Sequence, residues 1–191
     1  YCVRHNKNVG STLMAMTLIT TNSDTNQTSM SFTSSIDSTY KLYIFKFINI
    51  NPATDEVDFQ FNVSTDGGSN YNLQKTSTYF QAYHTEADDG QELTYRTQND
   101  LANGTGDQVI AQDANNAADA NIGGTLWLFN PSNTTYVKHF YSVISNSKTN
   151  AISEENAFSS GYVNSTSDVD AIIFRCSSGN FDGTIKMYGV G

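Results

Sequence analysis

Apolar and polar residues alternate with a period of two in segment after segment of this chain, which predicts β-strands. In the clearest segment, 57–64, Val57, Phe59, Phe61 and Val63 alternate with polar residues. Such alternation is typical of an antiparallel strand with one buried and one solvated face. Apolar residues at helical spacing are almost absent, so the two-residue period restricts the chain to an all-β fold.

The segment 41–50 differs from the others because it is apolar on both faces. We therefore expect a central strand covered on both sides, one of them by a loop or a neighbouring subunit. Turn residues at 66–68 predict a hairpin between 57–64 and a strand at 75–84, and residues 177–183 predict a closing hairpin. The remaining predicted strands are 13–19, 30–37, 125–129, 136–144, 157–163, 171–176 and 184–190.

This pattern gives about nine or ten strands, which predicts an antiparallel two-sheet β-sandwich of jelly-roll type. The length of 191 residues suits one domain, which we assign to 14–191, with 1–13 as an N-terminal arm or extension. Residues 85–121 break the strand rhythm and are acidic, so we expect a long loop excursion that faces a partner.

The charge balance excludes several classes of partner. The formal net charge is −9 and the sequence pI is about 4.5, so nucleic acid and anionic membrane surfaces are repelled. No apolar run reaches the roughly 18 residues that a membrane-spanning helix needs.

Residues with catalytic potential are scarce. The chain has three histidines and two cysteines, and none is spaced as a structural zinc site. It has no nucleophile elbow and no phosphate-binding glycine loop. A polysaccharide hydrolase needs two carboxylates across a cleft, and only 88–92 offers candidates, so we expect no enzyme. The sequence leaves open whether Cys2 and Cys176 are bonded.

Acidic residues of the excursion are candidate binding residues. Asp88, Asp89 and Glu92 could supply oxygen ligands to calcium, but their spacing is not that of an EF-hand, which favours a solvated acidic loop. We therefore predict no cofactor.

Tyrosines beside polar residues are the second kind of candidate. Such rings could stack on sugars, although core or subunit contacts are the commoner role. They are Tyr71, Tyr79, Tyr83 and Tyr95, of which Tyr83 and Tyr95 are retained as binding candidates. Five glycosylation sequons also occur, and Asn62 in one of them falls on a strand position predicted to be exposed, where a glycan would fit poorly.

Several segments in the same order resemble a known group of proteins. The similarity to small virion proteins and fibre C-terminal domains of marine tailed phages, those of cyanobacteria among them, extends from about Met14 to the C-terminus. It rests on FTSSIDSTY (32–40), FININP (47–52), STDGGSNY (64–71), LWLFNPS (126–132), SSGN (177–180) and GTIKMYG (183–189).

The resemblance implies a non-enzymatic virion structural protein. Such a protein would be a capsid decoration, a head fibre or a knob-type module. The resemblance also implies other capsid or tail proteins as partners and a homo-oligomer such as a trimer. The expected location is the virion, assembled in the host cytoplasm and exposed extracellularly. The alternative is a tail-fibre tip domain that binds a host receptor or surface glycan.

Overall fold

The computed structural model describes residues 15–148 and 153–191, so the predicted arm at 1–13 and Met14 lie outside them. Every regular element in these residues is a β-strand, and the strand pairs are antiparallel, which confirms the all-β antiparallel prediction.

The described residues form twelve strands, more than the predicted nine or ten. In chain order they are β1 (Met16–Gln27), β2 (Met30–Phe32), β3 (Leu42–Pro52), β4 (Val57–Ser64), β5 (Lys75–Thr85), β6 (Gln91–Tyr95), β7 (Gln108–Ala114), β8 (Ile122–Phe129), β9 (Lys138–Lys148), β10 (Ser153–Val163), β11 (Ala171–Cys176) and β12 (Phe181–Val190).

Nine strands form one nearly closed, barrel-like path in the order β1-β12-β3-β8-β9-β7-β4-β11-β2. The two ends of the path lie close together. The Asn22 side chain on β1 donates a hydrogen bond to the Ser31 carbonyl on β2 at 3.0 Å. The other three strands branch from β9 in the order β10-β5-β6. We call these three the branch strands.

The strand predicted to be central, β3, lies between β12 and β8. Phe45 and Phe47 point into the core, and Ile44 lies on the opposite face. The central position of this segment is therefore confirmed.

Aromatic rings fill the interior of the barrel-like path, and we call this cluster the aromatic core. Phe174 of β11 lies at its centre, fully buried, with five other phenylalanine rings at centroid distances from 5.1 to 6.3 Å. Two of these contacts, those with Phe32 and Phe47, are edge-on, a geometry that aromatic quadrupoles favour. The five neighbours are Phe32, Phe45, Phe47, Phe59 and Phe61.

Both predicted hairpins are wrong. Strand β5 pairs with β10 and β6 instead of β4, and β11 and β12 do not pair with each other. The connection after β4 is organised locally by Asp66, whose carboxylate accepts the Asn70 backbone N–H at 2.9 Å and the Ser64 hydroxyl at 2.6 Å. Glycine-rich turns permit a hairpin, but the burial of strand faces elsewhere decides which strands pair.

The segment 85–121 is not one long loop, since it contains β6 and β7. Strand β7 pairs with β4 and is buried over almost its whole length. Its amides Gln108 and Gln112 are buried as hydrogen-bonded groups. A strand with buried polar residues lacks the apolar alternation on which the prediction depended.

Asn62 is buried, contrary to the exposed position predicted for it. Its amide donates to Asp107 at 2.9 Å and accepts from the buried Lys75 ammonium at 2.6 Å. Burial lowers the pKa of Lys75 to about 8. Elsewhere, Cys176 is a buried free thiol on β11, and Cys2 lies outside the described residues.

Candidate functional site: a polar cleft and an outer aromatic stripe

A cleft of about 470 Å³ opens where the ends of β5, β7, β9 and β10 meet the loops around β6. We call it the polar cleft. Most of its walls are amide, carboxylate, hydroxyl and cationic side chains, with one aromatic ring. Its lining residues are Tyr83, Thr85, Asp89, Gly90, Arg96, Gln98, Gln112, Asp113, Lys148 and Ser153.

A β-bulge places Asp113 at the cleft. The register between β4 and β7 shifts opposite Val57–Phe59, so that β7 carries one extra residue. Asp113 has a positive φ of 51° there, and its backbone N–H donates to the Asp58 carboxylate at 3.2 Å. Its own carboxylate lies 3.2 Å from the Lys148 ammonium. Bulges commonly re-aim side chains at functional sites, and this one presents Asp113 and Lys148 together.

Buried polar side chains lie next to the cleft between the branch strands and β7. We call them the polar core: Tyr79, Gln81, Asn99, Gln108, Gln112, Asn146 and Glu155, all buried.

Glu155 is at the centre of the polar core. One carboxylate oxygen accepts the Tyr79 hydroxyl at 3.1 Å and the other accepts the Asn146 amide at 2.9 Å. Burial raises the pKa of Glu155, and the nearby Lys148 charge offsets part of that effect. The Asn146 amide also donates to the Gln112 carbonyl at 2.7 Å. Hydrogen bonds therefore connect Glu155 to a residue of the cleft wall.

Gln112 links this network to the cleft in a second way. Its side-chain oxygen accepts from Asn99, and its side-chain nitrogen donates to Asp113 at 3.0 Å. The orientation of the cleft wall at Gln112 is thus held by a buried bond from Asn99, and that of Asp113 by a partly buried bond from Gln112. Side chains held in this way bind with a smaller loss of conformational entropy.

Charges of both signs line the cleft in equal number. Asp89 and Asp113 carry carboxylates, and Arg96 and Lys148 carry cations. A second groove of about 340 Å³ adjoins it and shares Thr85, Lys148 and Ser153. The carboxylates of this adjoining groove belong to Glu86, Asp119 and Glu154.

The cleft unites only two of the five predicted binding residues, Tyr83 and Asp89. Asp88 is exposed with its carboxylate 3.1 Å from His84, and Glu92 is 3.9 Å from Arg96. Tyr95 is paired with Phe80 on β5 and donates to Asp100 at 2.5 Å.

Tyr79 is fully buried, which confirms for this ring the core contact that was the commoner of its two roles and rules out sugar stacking. Within the described residues, no three His, Cys, Asp or Glu side chains are grouped as a metal site. No helix in the same residues is long and apolar enough to cross a membrane.

Sequence reasoning missed most of the cleft, including Arg96, Gln98, Gln112, Asp113 and Lys148. One signal was present: amides interrupt the apolar run 108–114. A buried amide needs hydrogen-bond partners, and Asn99, in the loop between β6 and β7, bonds both amides. The sequence alone does not show that this loop folds back onto β7.

A second surface lies on the outward face of the sheet, where apolar side chains follow one another across eight strands. Consecutive members are directly opposite or diagonal neighbours in the strand ladders. We call it the outer stripe: Leu18, Tyr188, Ile44, Trp127, Tyr141, Phe158, Phe80 and Tyr95. Leu18 is 50 % exposed, Phe80 41 % and Tyr141 38 %, whereas Ile44 is buried at 8 % beneath its neighbours.

The rings of the outer stripe stack on one another. Phe80 and Phe158 are nearly parallel at 7° with centroids 4.9 Å apart, and Trp127 and Tyr141 are 5.0 Å apart at 25°. Rings stacked so closely cover one face of each other and leave less ring face for a sugar.

These features define an antiparallel all-β protein with a preorganised polar cleft and an apolar outer stripe. Comparison with models of known protein families, with curated proteins and with solved structures finds no match.

Proposed function

We propose that the chain is a non-enzymatic structural protein of a phage virion, a capsid decoration, head fibre or knob-type module. The phage assignment rests on the sequence resemblance. The observation that carries the structural role is the outer stripe, through which the protein associates with further copies of itself.

The size of the outer stripe suits a protein interface. Eight strands at about 4.8 Å spacing extend over roughly 35 Å, and Ile48, Leu93 and Phe129 add exposed apolar area beside them. An apolar patch of a few hundred Å² marks an interaction site. With a polar rim, it could form the centre of an interface of about 800 Å² per partner.

Charge favours a second copy of this chain as the partner. Lys46 and Lys186 lie directly opposite each other in the β3–β12 ladder, beside the outer stripe. Neither forms an ion pair within residues 15–148 and 153–191. Lys46 lies 5.7 Å from the centroid of the Tyr188 ring of the outer stripe, and a carboxylate of a partner would relieve the repulsion between like charges directly opposite each other. A chain of net charge −9 offers such an acidic surface.

Contact between two different surfaces of identical chains is heterologous, and it forms a closed ring when the rotation allows. A trimer is such a ring and is the oligomer that we propose.

We further propose that the chain packs as a two-sheet, jelly-roll-like sandwich, with β2, β11, β4 and β7 as the smaller sheet. The ring contacts of Phe45 and Phe47 with Phe174 across the interior support this arrangement.

Tyr141→Ser tests association through the outer stripe. We expect the wild type to be oligomeric by light scattering coupled to size exclusion, and the variant to dissociate with at least tenfold weaker association, because aromatic anchors dominate interfaces. Tyr136→Ser is the matched control, since Tyr136 is 70 % exposed in a loop outside the stripe. A monomeric wild type, or equal behaviour of the two folded variants, would refute association through this surface.

Cryo-electron microscopy of virions whose genome encodes this chain tests the location. Density on the capsid shell supports a decoration or head-fibre protein. Density at the tail tip favours the alternative, a fibre-tip domain that binds a host receptor or surface glycan, for which the polar cleft is the supporting observation. Absence of the chain from the particle would overturn the virion assignment.

A further inference from the structure

We propose that the polar cleft and its adjoining groove form a binding site for a neutral oligosaccharide of at least two sugar units. This inference does not depend on association through the outer stripe, because the two surfaces share no residue.

The hydrogen-bonding groups of the cleft match sugar hydroxyls. A hydroxyl is both a donor and an acceptor, so it suits a surface that mixes both kinds of group. The exposed amide of Gln98 offers both, Asp89 and Asp113 offer carboxylate oxygens, and Arg96 offers guanidinium N–H groups. The Gln112 amide and the Lys148 ammonium are bonded to Asp113 and hold its carboxylate in place. Tyr83 adds a ring against which the C–H face of a sugar can pack.

Charge and polarity disfavour anionic ligands, metal ions and large apolar ligands. An anionic ligand attracted by Arg96 and Lys148 would be repelled by Asp89 and Asp113 in the cleft, and by the carboxylates of the adjoining groove. A metal ion attracted by the carboxylates would meet Lys148, which lines both cavities. A large apolar ligand would leave these polar groups without partners at a cost of about 1–3 kcal/mol each.

Unlike the side chains of an ordinary polar surface, those of the cleft wall are held in place before a ligand binds. Asp113 is held by the β7 bulge and Lys148, and Gln112 by Asn99 and Asn146. Such fixed side chains lose little entropy on binding.

The two cavities indicate the length of the ligand. They share Thr85, Lys148 and Ser153, so a linear ligand can extend from one cavity into the other. Ligand pockets of about 300–1,000 Å³ are usual, and each cavity falls within this range. The shared wall therefore points to a chain of sugars as the ligand.

The test uses the full chain and three panels of soluble oligosaccharides: neutral hexose oligomers, galacturonic acid oligomers and glucosamine oligomers. We expect titration calorimetry to detect binding with the neutral panel only, without turnover of the ligand. Exclusive binding of the acidic or the amino panel, or no binding to any of the three, would overturn the proposal.

Gln98→Ala and Tyr83→Ala locate the site. Gln98 is exposed and lies outside the polar core, so its removal should leave the fold intact. We expect each variant to bind the neutral oligomer about fivefold to tenfold more weakly, the effect of losing one hydrogen bond or one packed ring. Tyr136→Ala, the control outside the cleft, should bind as the wild type does. Unchanged affinity in both cleft variants would place the sugar elsewhere and refute this site.

Discussion

The aromatic core and the polar core are buried to a similar degree but are held together by different forces. Phe174 packs among five phenylalanine rings, and Glu155 is surrounded by tyrosine, amide and lysine groups. Ring packing is additive and only weakly directional, so it gives the barrel-like path its stability. Hydrogen bonds add less net stability per bond but strongly constrain direction.

This difference explains the position of the polar cleft. The cleft adjoins the polar core, where Gln112 and Asp113 need a defined orientation, and not the aromatic core, where the rings need only to fill space. The polar core therefore buries less apolar surface than the aromatic core does, but it holds a few side chains in defined orientations.

We expect the largest loss of stability from a substitution at the centre of the aromatic core, at Phe174. Phe174→Ala should lower the free energy of unfolding by about 3–5 kcal/mol, because it removes a ring from the centre of a packed cluster and leaves a cavity. Urea unfolding at fixed protein concentration measures the change. Phe129→Ala, at a ring that is 42 % exposed, should cost less than about 1 kcal/mol. Equal losses in the two variants would mean that the aromatic core does not dominate stability.

A smaller effect is expected at Glu155. Glu155→Gln keeps the shape of the side chain but replaces one of its two acceptor oxygens by an amide donor, which then faces either the Tyr79 hydroxyl or the Asn146 amide. We expect a loss of about 1–3 kcal/mol at mildly acidic pH. Glu154→Gln is the matched control on the adjacent exposed residue and should change stability by less than about 0.5 kcal/mol. If Glu155→Gln is as harmless as its control, the polar core contributes little to stability.

The smallest expected effect is the change with pH of the stability lost in Glu155→Gln. Burial raises the pKa of Glu155 above its usual value of 4.5, so the folded protein holds this proton more tightly than the unfolded chain. The contribution of Glu155 is complete below about pH 4.5 and is lost as the pH rises through the raised folded value. The stability difference between wild type and Glu155→Gln should therefore shrink with rising pH in urea titrations. A difference that grows with pH would show that Lys148 and Asn146 favour the carboxylate more than burial disfavours it.

The periodicity of two was sufficient to predict the class of fold and many strands. Val57–Val63 and 41–50 were found because their apolar residues recur at fixed spacing, and burial requires that spacing. Strand β7 was missed because Gln108 and Gln112 interrupt its apolar pattern, and the Asn99 bonds that allow their burial form only when the loop before β7 folds back onto it.

The candidate site was predictable only in part. Tyr83 and Asp89 stood out as an aromatic and a carboxylate in an acidic segment, and both line the cleft. Lys148 and Gln112 gave no such local signal. Each becomes notable only beside Asp113 and Asn146, to which the strand ladders bring them.

The sequence by itself determined that this protein is an antiparallel all-β chain with an acidic charge and a β3 segment apolar on both faces. These properties depend on spacing and composition, which are local. Only the tertiary structure decided which strands pair, that Tyr79 and Asn62 are buried, and that a cleft forms at the ends of the branch strands. Pairing and burial are settled by contacts between residues far apart in the chain, which supply hydrogen-bond partners to most buried polar groups.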